Sequence, residues 1–221
     1  KGGSGNLSNM VSEDGMIGRA RKNASGNYAT GGNRFAVTNF ENCSTLGTNF
    51  IFSGWVYFYD YGTTHAPWII GRKGSNEDDG WGLALNASAR KKFDIYGVAT
   101  NQFTTTGAAT TYVMKQHWEY VTLAVSGGRY WLYTRSTDNG NNMVSGTLTS
   151  PVGEGQTALA FGSANDGMKP SVNGKFDEFR LRPWNVRFDG EGAVVTEDLE
   201  ALKDEVNFGF CNLTNLNNFE S

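Results

Sequence analysis

Residues 48–61, TNFIFSGWVYFYDY, alternate so that Phe50, Phe52, Val56 and Phe58 fall on one side of an extended chain and Ile51, Trp55, Tyr57 and Tyr59 on the other. Both sides are apolar. A strand with one wet face carries polar residues at every second position. This one is therefore read as covered on both faces, or covered on one with an aromatic face offered on the other. Gly54 inside the run marks a bulge or the close approach of another backbone. The expected partner is distant, in residues 174–183, GKFDEFRLRP, with Phe179 and Leu181 on one side and Phe176, Arg180 and Arg182 on the other.

The same two-residue rhythm recurs along the chain. Residues 34–40 predict a strand anchored on Phe35, Val37 and Phe40, after a short apolar opening patch at residues 15–20. PWIIG (67–71) and WGLAL (81–85) read as a hairpin around the polar loop 72–80, and short strands follow near 92–96 and 102–106. In residues 117–126, Val121, Leu123 and Val125 form the core face, with Trp118, Tyr120, Thr122 and Ala124 opposite. Gly127 and Gly128 then supply a tight turn into 129–135, and residues 159–162 and 176–181 complete the β-rich part. The period changes at 196–206, TEDLEALKDEV: Leu199, Leu202 and Val206 are spaced for a helix, Thr196 is a candidate N-cap, and Glu197 and Asp198 suit its positive end.

Composition agrees with this pattern. In 221 residues there are 29 Gly and only 4 Pro, with 13% aromatics, enough to bury a sizeable core. The expected fold is all-β: a two-sheet antiparallel β-sandwich with one short C-terminal helix, a single domain over residues 1–221 in which 1–15 form a flexible arm. A net charge of −3 gives no electrostatic reason to bind nucleic acid or an anionic membrane. No apolar run approaches the roughly 20 residues that span a bilayer. The opening residues lack both an initiator Met and a signal-peptide core, so the chain reads as part of a longer or processed protein. Cys43 and Cys211 leave two readings open, one disulfide tying the tail to an early strand or two separate buried thiols.

In order, residues 35–40, NFIFSGWVYF, IIGRKGSNEDDGWGLAL, HWEYVTLAVSGGRYWLY and GKFDEFRLRP resemble the laminin G-like group of the concanavalin A-like lectin/glucanase superfamily. The resemblance covers roughly residues 35–183 and is carried above all by Ser53-Gly54-Trp55-Val56, by Trp118 before a Val-rich strand and a Gly-Gly turn, by Leu132-Tyr133, and by Asp177-Glu178-Phe179-Arg180. It implies a jelly roll of two antiparallel sheets, of a kind that often serves as an extracellular module binding sugars or proteins, sometimes with calcium. The group has no invariant ligand motif to carry over residue by residue.

Candidate chemistry narrows the choice. Glucanases of the superfamily need a general acid and a nucleophile flanking one bond, in E-x-D-x-x-E or E-x-D-x-E runs, and none is present. Asp177 and Glu178 are adjacent and point to opposite faces, so Asp177 is expected to bond nearby backbone or loops. His65 and His117, the only histidines, make no zinc set or nucleophile elbow. The basic run Arg90-Lys91-Lys92 reads as a solvated turn, and sequons at Asn6, Asn23, Asn42, Asn86 and Asn212 occur about as often as this composition produces by chance.

Two loops remain. Asn76, Glu77, Asp78 and Asp79 offer the hard oxygens calcium prefers, and Asn165 and Asp166 could join them, giving Asp78, Asp79 and Asp166 as metal candidates against a plain solvated loop. At the sandwich end where loops 72–80 and 163–174 would meet, Trp81 and Trp68 are expected as ring platforms for a sugar, with Asn76, Asp78, Asp79, Asn165 and Asp166 bonding its hydroxyls. Trp55 and Trp118, inside regular strands, are assigned to the core. Should Trp81 prove to be core, the site moves to the sheet face carrying Trp131 and Tyr133. The reading is a non-catalytic, extracellular or cell-surface carbohydrate-binding module of a larger protein. The alternative is an adhesion or scaffold module that binds an extracellular protein, or a spacer without its own ligand.

Overall fold

A computed structural model describes residues 5–8, 10–14, 19–23, 34–37, 48–60, 67–72, 80–86, 92–97, 105–108, 115–136, 140–153, 159–162 and 172–217. Among these, strands β1 (Gly5–Ser8), β2 (Met10–Asp14), β3 (Arg19–Asn23), β4 (Arg34–Val37), β5 (Phe50–Asp60), β6 (Trp68–Gly71) and β7 (Gly82–Leu85) come first. They are followed by β8 (Phe93–Tyr96), β9 (Thr105–Ala108), β10 (Trp118–Ser126), β11 (Arg129–Ser136), β12 (Gly140–Thr147), β13 (Leu159–Phe161) and β14 (Asn173–Pro183), and by one helix, α1 (Thr196–Asn217). One sheet runs β1-β4-β13-β6-β7-β8-β9 and the other β12-β11-β10-β5-β14-β3-β2. The expected antiparallel sandwich is present.

Strand β5 lies at the centre of the second sheet, paired antiparallel to β10 on one side and to β14 on the other. Its even residues Phe50, Phe52, Val56 and Phe58 enter the core between the sheets, where they meet Ile69, Leu83, Leu85, Phe93 and Ile95 of the first sheet. Val121, Leu123 and Val125 of β10 join the same cluster, as their alternation predicts. Each such side chain contributes roughly 1.5–3 kcal/mol by leaving water, against the entropy of ordering it. The β10–β11 hairpin closes on Gly127 and Gly128, with φ of 57° and 74°, the left-handed pair a two-residue turn requires.

Several expectations change. On β14, Phe176 lies on the core side with Phe179 and Leu181 rather than opposite them. The register slips between Asp177 and Arg180, where three steps on β14 face two on β5, and the extra residue reverses the parity. Glu178 absorbs the bulge at φ 49°. Gly54 sits opposite, and a Cβ there would overlap the Phe179 ring, which is the close approach its position implied.

The segment expected as a flexible arm instead supplies both sheets with an edge strand: β1 pairs with β4, and β2 with β3. Backbone pairing asks for no apolar side chains, so Gly, Ser and Asn content is a poor guide at an edge. Strand β12, which its polar residues concealed, extends the second sheet beyond β11. Helix α1 continues past Val206 to Asn217. Cys43 lies outside the described residues, and with it the question of a disulfide.

Candidate functional site

The outer face of the second sheet is built from the odd residues of β5 and the even residues of β10, and it has two halves. Toward Ile51 and Ala124 it is roofed by α1: Leu202 and Val206 pack on Ile51, Ala124, Trp131 and Tyr133, with Trp184, Val186, Val194 and Leu199 around them. The helix is pinned at its start by Arg187, whose Nη2 lies 2.8 Å from Asp198 Oδ1 and whose backbone N–H donates to Asp198 Oδ2 at 2.6 Å. Those bonds hold the Asp198 carboxyl below the usual carboxylate range. Further along, Arg135 Nη1 donates to Asn207 Oδ1 at 2.7 Å. Burial, reinforced by the charge of Glu200, pushes the Tyr133 phenol up.

The other half carries half-buried rings. The register sets Trp118 of β10, Tyr57 of β5 and Lys175 of β14 side by side in one row across three strands. Tyr57 meets Trp118 edge-on at 5.5 Å between ring centroids and Tyr59 at 5.1 Å. Lys175 Nζ lies 5.3 Å from the Tyr57 ring and 5.7 Å from the Tyr59 ring, within reach of both π faces. At the rim, Lys115 Nζ bonds Asp60 Oδ1 at 2.8 Å. One row further in, Trp55 is buried against Tyr120 at 5.2 Å. The patch offers aromatic edges and faces for the C–H face of a sugar, with an ammonium and an ion pair at hand for hydroxyls.

The residues expected to stack on sugar are elsewhere, and both are corrected. Trp81 is 1% exposed, stacked on Phe50 at 4.2 Å inside the core. Its parity explains this, since Trp81 immediately precedes β7 and shares the core side with Leu83 and Leu85 of that strand. Trp68 is also 1% exposed, stacked on Tyr96 at 5.0 Å and lying over Gly82, where a Cβ would overlap its ring. Asn76, Asp78, Asp79, Asn165 and Asp166 lie outside the described residues, as does the expected meeting of their loops. Among the described residues no group of three or more His, Cys, Asp or Glu could hold a metal ion.

Trp55 is core, as assigned, whereas Trp118 is only half-buried and belongs to the patch. Trp131 and Tyr133, named for the fallback face, lie on its roofed half. Tyr57 and Tyr59 were signalled by the aromatic side of the central strand. Lys175 had no signal beyond its place in the partner strand. Asp177 Oδ1 accepts from the Glu178 backbone N–H at 2.9 Å, the structural bond expected of it.

No family model and no curated protein matches the chain. Solved structures do. The receptor binding domain of botulinum neurotoxin D aligns over 91% of this chain and 47% of its own, at 13% identity and a TM-score of 0.55. The binding domain of Paraclostridial Mosquitocidal Protein 1 aligns over 83% and 45%, at 12% identity and a TM-score of 0.54. An enzymatically active domain of a bacteriophage tailspike protein aligns over 83% and 28%, at 12% identity and a TM-score of 0.53. In each case this chain spans less than half of the other. Such likeness establishes a shared β-sandwich fold. Among the described residues no helix is long and apolar enough to cross a membrane.

Proposed function

We propose that the chain is a non-catalytic carbohydrate-binding module of a larger extracellular protein, and that Tyr57, Tyr59, Trp118 and Lys175 form its binding patch. The observation that carries this reading is the row of half-buried aromatic rings on the outer face of the second sheet, with a lysine set over two of them. Sharing a fold with receptor binding domains supports a binding role, and the laminin G-like pattern of residues 35–183 supports an extracellular setting. A non-catalytic role is supported by the sequence, which has no E-x-D-x-x-E or E-x-D-x-E run of the glucanase kind.

A glycan array read with the wild type and with Trp118→Ala tests the proposal. Binding to one glycan class that the substitution abolishes supports it, and an array silent for the wild type removes it. Binding of an extracellular protein is the second reading, toward which an array silent for the wild type would turn the choice. Calcium at Asp78, Asp79 and Asp166 is supported by residue chemistry alone. A melting-temperature rise specific to calcium over magnesium would establish the ion, and no shift at millimolar calcium would discard it.

A further inference from the structure

A cleft of about 350 Å³ opens at the far end of the same sheet face, between β11, β12 and residues 193–199. That volume is at the low end of ligand pockets, roughly 300–1,000 Å³. The pairing of β11 with β12 places Arg129 opposite Thr147 and Trp131 opposite Ser145, so a guanidinium, two hydroxyls and an indole line one wall. Val194 and Leu199 supply an apolar wall facing them.

Arg129 is held in place before any ligand arrives. Its Nη2 donates to Gly192 O at 2.8 Å, and its Cζ lies 5.3 Å from the centre of the Phe188 ring. The turn that supplies both contacts is itself tied down. Asp189 Oδ1 accepts from the backbone N–H groups of Glu191 and Ala193 at 2.9 and 2.8 Å, and Val195 N–H donates to Arg187 O at 3.0 Å. The Phe188 ring in turn sits over Gly127, where a Cβ would overlap it. A guanidinium has five N–H donors in a rigid fork matched to a carboxylate, and fixing it in advance lowers the entropy lost on binding.

We propose that this cleft is a second ligand subsite, for a sugar unit that bears a carboxylate: the acid meets Arg129, ring hydroxyls meet Ser145 and Thr147, and the C–H face rests on Val194 and Leu199. A neutral sugar brings no counter-charge to the guanidinium, and a bare small anion leaves the apolar wall uncovered. Six steps of β10 separate Trp118 from Ala124, the residue opposite Trp131, about 20 Å at strand rise. The cleft is therefore independent of the Tyr57 patch and stands whether or not that patch binds glycan.

Backbone NMR titration of the full chain with sodium D-glucuronate, D-glucose and sodium acetate at matched ionic strength provides the test. Glucuronate should shift Arg129, Trp131 and Ser145 saturably below roughly 50 mM, and bind about tenfold or more tightly than either control. Arg129→Gln should remove that preference. Ser145→Trp, an exposed edge-strand substitution the fold should tolerate, should block the cleft. Trp118→Ala should leave glucuronate binding unchanged. Glucose or acetate equal to glucuronate, no saturable shift, or a folded Arg129→Gln that binds as the wild type does would each overturn the proposal. Loss in Trp118→Ala alone would overturn it too, while sparing the patch.

Discussion

The two halves of the outer face of the second sheet share strands β5 and β10 and are both rich in aromatic rings, yet one is core and the other is surface. Trp131 and Tyr133 lie under α1, whereas among the described residues Tyr57, Tyr59 and Trp118 stand outside that cluster and are half-buried. The strands cannot tell the halves apart, because alternation reports which side of the sheet a residue takes and not what lies over that side. The cover comes from the end of the chain, through Leu202 and Val206, and is locked by Arg187 on Asp198.

The inner side of the same sheet gives the upper limit of the comparison. Leu123→Asp, on the strand that also carries Trp118, should unfold the protein, because a carboxylate would enter a fully buried cluster with no partner. Loss of the cooperative thermal transition is the expected observation, and a folded variant of unchanged melting temperature would invert the assigned faces.

Next come three tryptophans. Trp81→Ala and Trp131→Ala each remove a buried indole and should cost about 3–5 kcal/mol in denaturant unfolding. Trp118→Ala removes a half-buried one, so its cost should be clearly smaller while glycan binding falls by about tenfold or more. If Trp118 proved as costly as Trp131, the difference between the two halves would vanish and the patch would be core.

This order also shows what was legible. The Gly127-Gly128 turn, the core face of β10 and the start of α1 are local patterns, so periodicity exposes them, whereas the distant pairing of β5 with β14 was inferred from two alternating runs and its pairing with β10 had no signal. The bulge at Glu178 defeated the faces assigned to β14, because one inserted residue reverses parity without any mark in composition. Trp81 was misplaced because its position after a polar loop outweighed its own alternation with Leu83 and Leu85. The patch was half visible: Tyr57 and Tyr59 show as an aromatic side, but joining them to Trp118 and Lys175 requires the register of three strands.

The smallest expected effect concerns covered and open carboxylates. Asp94 is buried on the outer face of the first sheet, where Asn86 Nδ2 donates to Oδ1 and Oδ2 at 3.0 and 2.8 Å. Burial raises its pKa above 3.8, and the Asn86 bonds offset this only in part. Asp198 is lowered by Arg187, so the two respond to acid with opposite sign. For Asp94 the folded state binds the proton more readily than the unfolded one. Its contribution to stability is therefore greatest below the unfolded value near 3.8 and is lost as pH rises through the higher folded value. Asp198 contributes above the unfolded value and loses that contribution as pH falls through its lowered folded value. Asp94→Asn keeps an acceptor for Asn86 but cannot ionise, so its melting temperature relative to the wild type should climb as pH rises from about 4 to 7. A difference that stays flat, or that grows toward acid, would mean Asp94 is well solvated and that this outer face, too, is partly open.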